Sequence, residues 1–349
     1  MHFNLCEHHT PTGFKNPDPG FEDRGFNDLI RWGIIDRLSG KKQSKHKNYA
    51  FRGAYQHDLF TSVHQNTYAL TWIGHSSFLI TINGINILTD PVWSRRCSPY
   101  RFIGPERCMA PGIPFEALPE IDLVLISHNH YDHLDINIIK QLGNTPTYFI
   151  PLRVGTPFNR IGITNLSEYD WWDRETFRDI RITSTPAQHF SGRGLRDRNK
   201  TLWCGWIVEY KDFRLYFAGD SGYFSGFREI GRRFGPLDIA CLPIGAYLPR
   251  WFMKPFHLSP DEAVQAFLDL NARTFVAMHW GTFDLADEPM DDPPLRLKEE
   301  ISRRGLDPSM FWILQHGESR LYQSPASHHL SSGDLYLDTV NPRGNTSQV

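Results

Sequence analysis

Short apolar runs cut by glycine and aspartate begin near residue 68 and alternate with polar stretches through most of the chain. Three of them in succession predict β-strands: YALTWIG, SFLITING and INILTD. The dipeptide Asn83-Gly84, between the second and third runs, predicts a hairpin turn. IDLVLISH is apolar throughout, which is typical of a strand buried on both faces. The apolar positions of the following LDINIIKQL have helical spacing, so a helix is expected after that strand.

The second half of the chain repeats this organisation. Further strands are predicted at TYFIP, ITNLSEY, IRITSTPAQH, WCGWIVEY, FRLYFAGD, LDIACLPIG and TFVAMHW. Helices are predicted at SPDEAVQAFLDLN and PLRLKEEISRRG, and the first opens with Ser259 and Glu262 as a capping box. Two sets of strands, each followed by strand–helix alternation, predict one α/β domain in which two packed sheets have helices on their outer faces.

Composition changes at two places and divides the chain into three parts. Residues 1–66 are polar, with one helix-like run at FNDLIRWGIIDRL, and are expected to form an N-terminal extension packed on the core. Residues 67–323 carry the strand and helix pattern and are expected to form the main domain. Residues 324–349 are rich in serine and lack periodicity, so a disordered tail is expected there.

The bulk composition argues against several classes of protein. With 349 residues, 40% hydrophobic content and a formal net charge of −2, the chain can bury a large core and has no excess of basic residues. A nucleic acid is therefore not an expected partner. The five cysteines are scattered and odd in number, which favours a reducing, cytoplasmic location. Neither a secretory leader nor an apolar run of roughly 18 residues is visible in the sequence.

The stretch SHNHYDHLD places His128, His130, Asp132 and His133 directly after the buried strand. His128 and His130 are two positions apart, so an extended chain points them the same way. Neutral imidazoles and carboxylates suit zinc, and iron or manganese also accept them. A loop of solvated histidines is the alternative, and it accounts less well for this density of ligands at a strand end. Four ligands are too few for two metal ions, so further ligands are expected elsewhere.

Three other predicted strands end in side chains of the same kind: His189, Asp220 and His279. Each histidine alone could be a structural hydrogen-bonding group, but the recurrence at strand ends predicts a set. His75 and Asp90 also follow strands. His75 is expected to be a buried hydrogen-bonding group, and Asp90 either a turn residue or the partner of a ligand's ring N–H.

The segments HNHYDH, AQH, GDSGY and MHWGTF, in this order, resemble the hydrolases of the metallo-β-lactamase fold. The resemblance implies a four-layered αβ/βα sandwich with a metal site along one edge. That site would hold two Zn²⁺ ions, with iron or manganese as alternatives. Transferred residue by residue, the resemblance implies that one ion is bound by His128, His130 and His189. The other ion would be bound by Asp132, His133 and His279, and Asp220 would bridge the two.

A longer series of segments, over residues 48–322, is similar to the phospholipases D that hydrolyse N-acylphosphatidylethanolamine: TWIGHSSFLI, ILTDPVWS, SPYRFIGPERC, LPIGAYLPRWFM and HLSPDEAV. The resemblance implies hydrolysis to phosphatidic acid and an N-acylethanolamine by a hydroxide bridging two zinc ions. It implies catalytic roles for Asp132 and His257, and substrate contacts for Arg101, Phe102, Tyr247 and His257. The chain departs from the animal enzymes at Arg101-Phe102 and Phe256. Those enzymes carry Gln-Tyr and Gln there, at the acyl-amide end of the substrate.

A phospholipid or another small phosphodiester is the expected substrate, because arginine and aromatic side chains are interspersed in PVWSRRCSPYRFIGPERC. Peripheral contact with a membrane is expected for such a substrate, and a homodimer is compatible with the resemblance. A lactonase or another ester or phosphodiester hydrolase of the same fold is the main alternative. A metal-binding interaction protein without activity is the non-enzyme alternative, and the presence of all seven ligands argues against it.

Overall fold

The computed structural model describes residues 7–18, 20–21, 23–32, 68–194 and 196–323. Residues 33–66 of the N-terminal extension and the whole Ser-rich tail lie outside these ranges, so the predicted division of the chain stays a prediction. The helix expected at FNDLIRWGIIDRL is present as Phe26–Ile30, and most of its remainder also lies outside the described residues.

The described residues contain sixteen strands, numbered here in chain order. Their bounds are β1 His9–Thr10, β2 Gly13–Phe14, β3 Tyr68–Gly74, β4 Ser77–Ile82, β5 Ile85–Thr89, β6 Leu123–Leu125, β7 Thr147–Pro151, β8 Leu166–Tyr169, β9 Arg174–Phe177, β10 Ile180–Thr185, β11 Gly205–Tyr210, β12 Phe213–Phe217, β13 Leu237–Pro243, β14 Ala272–Met278, β15 Phe311–Trp312 and β16 Ser319–Tyr322.

The α-helices of the same residues are α1 Phe26–Ile30, α2 Ile136–Leu142, α3 Gly155–Arg160, α4 Gly226–Phe234, α5 Arg250–Met253, α6 Pro260–Asp269 and α7 Asp292–Arg303. Short 3-10 helices lie at Phe115–Ala117 and Pro308–Met310. None of the helices in the described parts of the chain combines the length and the apolar character that crossing a bilayer requires.

Fourteen of the strands form two seven-stranded sheets. The first has the order β16-β3-β4-β5-β6-β7-β8, and the second the order β15-β14-β13-β12-β11-β10-β9. In the first sheet, β3 to β5 pair antiparallel and β5 to β8 pair parallel. In the second, β9 to β12 pair antiparallel and β12 to β15 pair parallel. Both halves thus pass from a meander into strand–helix alternation, which confirms the predicted repetition.

The two sheets pack face to face around a shared apolar core. Tyr68 of the first sheet stacks on Phe213 of the second, with 3.9 Å between ring centroids. Tyr169 and Trp206 meet edge-to-face across the same interface at 5.7 Å. Since aromatic rings fill the space between the sheets, the sandwich is held together mainly by apolar burial.

Strand β6 shows how the sheets are covered on their outer faces. Leu125 belongs to the core between the sheets, whereas Val124 and Ile126 belong to a second apolar cluster with Ile139 of α2 and Phe158 of α3. All of these side chains are fully buried. Because successive strand residues point to opposite faces, the alternation confirms that this run is a strand buried on both faces.

Local signals in the sequence are also present as predicted. Asn83 and Gly84 have φ of 50° and 77°, the positive values that a tight two-residue hairpin between β4 and β5 requires. Ser259 and Glu262 form a capping box at the start of α6, where Ser259 N donates to Glu262 Oε2 at 3.2 Å. This box fixes the point at which the chain enters α6, whose N-cap Ser259 lies two residues after His257.

Helix α4 was not predicted, and its glycines explain why. Glycine lowers helix propensity, so GFREIGRRF reads poorly as a helix. The structure requires Gly231 there, because a Cβ at this position would lie 2.3 Å from the carbonyl oxygen of Asp269 at the end of α6. Close packing between α4 and α6 therefore requires glycine at position 231, although glycine weakens the helical pattern in the sequence.

Candidate metal centre

The seven predicted ligands come from four segments, and each segment follows the carboxyl end of a strand. Residues 128–133 follow β6 of the first sheet. The other three segments follow β10, β12 and β14 of the second sheet. Since the sheets are stacked, these strand ends lie along one edge of the sandwich, and the ligand atoms converge there.

His128, His130 and His189 form the first ligand group. His128 Nε2 lies 2.8 Å from His130 Nδ1, which lies 3.3 Å from His189 Nε2. Three imidazole nitrogens therefore face one point, as in a metal site with three histidine ligands. Burial lowers the pKa of His189 to about 3 and that of His130 to about 4, so both rings are neutral and keep a lone pair for a metal.

Asp132, His133 and His279 form the second ligand group. Asp132 Oδ2 is 3.5 Å from Nε2 of both His133 and His279. Asp220 Oδ2 is 3.1 Å from the same two nitrogens and 3.8 Å from His189 Nε2. A single oxygen of Asp220 thus faces both ligand groups, which is the position that its predicted bridging role requires.

The second ligand group has the electrostatics of a cation site. His133 Nε2 and His279 Nε2 have no hydrogen-bond partner among the described residues, although Asp220 Oδ2 is 3.1 Å away. Burial opposes charge on either ring, but Asp220 and Asp132 raise the pKa of His279 to about 9 and that of His133 well above its usual value. The buried carboxylate of Asp220 and the partly buried carboxylate of Asp132 thus stabilise positive charge where the nitrogens converge. A divalent metal ion with nitrogen and oxygen ligands fits this donor set.

The ligand rings are held from behind by hydrogen bonds at Nδ1. His189 Nδ1 donates to the carbonyl oxygen of Phe256 at 3.0 Å, and His133 Nδ1 donates to Asp90 Oδ2 at 2.7 Å. A ring that donates from Nδ1 has Nε2 on its opposite side, and in the neutral ring of His189 that nitrogen carries the lone pair. These bonds therefore aim Nε2 of both rings at the metal centre.

Asp90 holds one residue of each ligand group. Besides the bond from His133, its carboxylate accepts a bond of 2.6 Å from Ser127 Oγ, which accepts from His128 Nδ1 at 2.9 Å. Ser127 N also donates to Asp90 Oδ1 at 2.7 Å. The bond to His133 is the one expected if Asp90 partners a ligand's ring N–H. The role of Ser127 was not predicted, and its position directly before the first ligand was the available signal.

His75 is a buried hydrogen-bonding group, as expected from the sequence. Its Nε2 lies 3.0 Å from Asp132 Oδ2, and its ring centroid lies 4.0 Å from that of His279. Burial lowers the pKa of His75 to about 3, so the neutral ring donates from Nε2 to the carboxylate. His75 therefore fixes the orientation of Asp132.

The structure places His257 beside both ligand groups. Its Nδ1 is 3.9 Å from Asp220 Oδ2, and its ring centroid is 5.1 Å from His189 and 5.5 Å from His279. Burial lowers the pKa of His257 to about 3. The side chain is thus a neutral imidazole within reach of a substrate at the metal centre, and its catalytic and substrate roles stay predictions.

The other three predicted substrate residues have different surroundings. Arg101 and Phe102 lie in the long loop between β5 and β6, where Phe102 is 75% exposed. Tyr247 is buried, and its hydroxyl donates to the Asp292 carboxylate. It lines a cleft of about 340 Å³ together with Arg250 and other polar side chains. The substrate roles of Arg101, Phe102 and Tyr247 stay predictions.

Comparisons with known proteins agree with this arrangement. Residues 85–280 match the family model described as the β-lactamase superfamily domain. The chain is 39% identical over 294 residues to a protein of Mycobacterium tuberculosis that is named as uncharacterised, covering 81% of this chain and 77% of that one. It is 39% identical over 263 residues to N-acyl-phosphatidylethanolamine-hydrolysing phospholipase D 1 of Caenorhabditis elegans, covering 71% and 74%.

A solved structure shows the same fold. Igni18, described as a metallo hydrolase of the archaeon Ignicoccus hospitalis, superposes with a TM-score of 0.56 at 23% identity, covering 73% of this chain and 98% of that one. The family match spans more than half of the chain, and the predicted four-layered αβ/βα sandwich is confirmed. The chain therefore belongs to the β-lactamase superfamily, among the proteins with the metallo-β-lactamase fold.

Proposed function

We propose that this protein is a zinc-dependent phosphodiesterase of phospholipase D type. It hydrolyses N-acylphosphatidylethanolamine or a related phospholipid to phosphatidic acid and an N-acylethanolamine. The observation that carries the proposal is the position of Asp220, whose Oδ2 faces His189 of the first ligand group and both histidines of the second. The substrate class is suggested by the relative from Caenorhabditis elegans, whose name specifies that phospholipid.

Zinc ions in the two ligand groups would supply Lewis acidity and would lower the pKa of bound water to about 7. The side chains of the protein position the substrate and move the proton. Asp132 is 14% exposed, against 2% for Asp220, so it is the carboxylate more open to a substrate, and the catalytic role is assigned to it. His257 has a neutral ring, and its N–H can donate to a phosphate oxygen held beside both groups.

Peripheral contact with a membrane is part of the proposal. The loop of residues 94–108 carries three exposed apolar side chains, Tyr100, Phe102 and Ile103, which are 59%, 75% and 59% exposed. Together with Arg101, they suit a surface of acyl chains and anionic headgroups. We call these three side chains the apolar loop tip.

Both ends of this loop are attached next to metal ligands. Ser94 N donates to Asp135 Oδ2 at 2.8 Å, two residues beyond His133. Cys108 N donates to the carbonyl oxygen of Thr282 at 2.7 Å, three residues beyond His279. A lipid that contacts the apolar loop tip would therefore be held close to the metal centre.

We also propose that the protein lies in the cytoplasm at a membrane surface. The scattered cysteines, odd in number, support a reducing compartment. We further propose that the chain forms a homodimer. Light scattering on the purified full chain measures the mass in solution and so tests it directly.

A hydrolase with a broader range of esters and phosphodiesters, including lactones, is the second candidate. One observation favours it: Phe256 occupies a position where the resemblance implies Gln in the animal phospholipases. Its buried ring packs against Phe190 at 4.7 Å and Phe21 at 5.6 Å. A phenyl ring at this position offers no hydrogen bond to an acyl amide.

A substrate panel with the zinc-loaded protein separates the two candidates. The panel contains N-acylphosphatidylethanolamine, phosphatidylethanolamine, bis(p-nitrophenyl) phosphate and an acyl lactone. The proposal predicts phosphatidic acid from the first substrate, measured by mass spectrometry. Turnover of the lactone without turnover of N-acylphosphatidylethanolamine would overturn the first candidate in favour of the second.

A further inference from the structure

The N-terminal segment of residues 7–18 reaches the first ligand group through Asn16. The carboxamide of Asn16 donates from Nδ2 to the carbonyl oxygen of His189 at 2.7 Å and accepts from His189 N at 2.9 Å. Both bonds are buried, and they join residues 173 positions apart in the chain. A single side chain thus satisfies both polar backbone groups of a predicted metal ligand.

His189 needs such a partner because it lies beyond the end of its strand. Strand β10 ends at Thr185, and no strand in the described parts of the chain pairs with the backbone of His189. The residue has no exposed surface, and an unpaired buried N–H or C=O would be costly. The planar carboxamide of Asn16 carries one acceptor and one donor, so it pairs with the His189 backbone in the way that a neighbouring strand would.

The two bonds fix the backbone from which the His189 ring extends. At the other end of the residue, Nδ1 donates to the carbonyl oxygen of Phe256, and Nε2 lies 3.3 Å from His130 Nδ1. The ring is therefore held both by its own hydrogen bond and by the position of its Cα. Groups that orient a ligand in this way set metal affinity, although they do not touch the metal.

The segment that carries Asn16 is itself attached to the main domain. Phe14 is in the core between the sheets, and its N–H donates to the carbonyl oxygen of Asn199 at 2.8 Å. His8 Nε2 and His9 Nε2 lie 2.6 Å and 2.7 Å from the two carboxylate oxygens of Asp170. These attachments hold the segment in place, so that the Asn16 side chain lies within hydrogen-bond distance of the His189 backbone.

We propose that Asn16 is a positioning residue of the metal centre and that residues 7–18 are a functional part of it. Asn16 sets how tightly the metal ion of the first ligand group is retained. The inference rests on the proposed metal-dependent function, and it extends that function to a segment that the sequence predicts only as an N-terminal extension packed on the core.

Two substitutions and a matched control test this inference on the zinc-loaded full chain. Asn16→Ala removes both bonds, and Asn16→Ser is a milder change whose hydroxyl is too short to span both backbone atoms. Asn144→Ala is the control: its exposed carboxamide also donates to one backbone carbonyl, Gly162 O at 3.0 Å, and accepts from one backbone N–H, Thr164 N at 2.8 Å. Asn144 precedes β7, at the edge of the sheet opposite the metal ligands.

Zinc release into a chromophoric chelator is followed with time, and metal per chain is counted by mass spectrometry. We expect one of two zinc ions to leave Asn16→Ala at least about tenfold faster than wild type, because orienting groups set affinity by that order. Asn16→Ser should change in the same direction, and Asn144→Ala should match wild type. In the cobalt-loaded protein, the visible absorption should change with either Asn16 substitution and not with Asn144→Ala.

Identical release and identical cobalt spectra in wild type and both Asn16 variants would overturn the positioning role and leave the proposed function untouched. A wild-type chain that binds fewer than two metal ions would instead contradict the two-metal function itself. Circular dichroism of the metal-free proteins separates loss of fold from loss of metal. If Asn16→Ala does not fold, Asn16→Ser decides the question.

Discussion

Asp90 and His133 are joined by a hydrogen bond of 2.7 Å between two side chains that have no exposed surface. The bond lies on the side of the ring away from the metal centre, so Asp90 determines where His133 Nε2 points without being a ligand. Burial raises the pKa of the Asp90 carboxyl, and hydrogen bonds from His133 and Ser127 oppose that rise. The site therefore depends on Asp90, a third carboxylate, which lies behind the ligands.

Asp90→Asn tests this dependence. Asp90 Oδ1 accepts from Ser127 N, and Oδ2 accepts from both Ser127 Oγ and His133 Nδ1. An asparagine has an NH2 group in place of one of these oxygens, so it cannot accept all three bonds. We expect zinc binding to weaken by roughly 10- to 100-fold, measured by competition with a chelator. Asp122→Asn is the matched control, because Asp122 accepts from Asn86 N at the opposite end of β6. Equal zinc affinity in both variants would contradict the orienting role of Asp90.

Asp220→Asn tests the shared carboxylate. The change removes negative charge that faces both ligand groups, so we expect at least one metal ion per chain to be lost. Hydrolysis should fall by more than about 100-fold, beyond the range for groups behind the ligands.

The control for this variant is Asp238→Asn. Asp238 is fully buried and bonds to Arg273 and Tyr322, away from the metal centre. We expect it to lower the free energy of unfolding and to leave metal content unchanged. Full metal content and activity in Asp220→Asn would show that the carboxylate does not bridge.

His257→Ala tests the proposed substrate contact. We expect kcat to fall by about 100-fold, the usual loss for one donor to a developing negative charge, with both metal ions retained. His257→Gln should recover part of the activity, because its amide N–H can still donate. Metal counting together with steady-state kinetics measures the effect. Loss of metal in His257→Ala would make His257 a ligand and refute the assignment.

The apolar loop tip should bind membranes. Replacing Tyr100 and Ile103 together by serine removes apolar surface worth about 1.5–3 kcal/mol for each fully buried side chain. We expect binding to anionic phospholipid vesicles, measured by cosedimentation, to weaken by tenfold or more. Leu295→Ser with Leu321→Ser is the control, since these leucines are 54% and 44% exposed elsewhere on the surface. Equal binding by both double variants would count against the loop as the contact.

Most strands of the two sheets, and the convergence of the predicted ligands, could be predicted because their signals are local. Asn83-Gly84 needs positive φ for a tight turn, and a run such as Leu123–Leu125 is apolar because both of its faces are covered. The ligands meet because each follows a strand end, and strand ends lie on one edge of a sandwich. When such residues follow strands of two stacked sheets, the fold brings their side chains together at that edge.

Other features depend on contacts that no local pattern reports. Gly231 weakens the helical signal of α4 because close packing against Asp269 requires a glycine. Asn16 lies 173 positions from His189, and a lone asparagine in a polar segment carries no mark of that contact. The direction of the Arg101 and Phe102 side chains depends on a loop that has no periodicity.

The most direct test measures which product receives the oxygen atom of the attacking water. Zinc-loaded protein is incubated with vesicles of N-acylphosphatidylethanolamine in H₂¹⁸O, and both products are analysed by mass spectrometry. The account predicts phosphatidic acid with one ¹⁸O in its phosphate and N-acylethanolamine without label, and neither product from the metal-free protein. Absence of phosphatidic acid from the zinc-loaded protein, or its formation at the same rate after metal removal, would contradict the account.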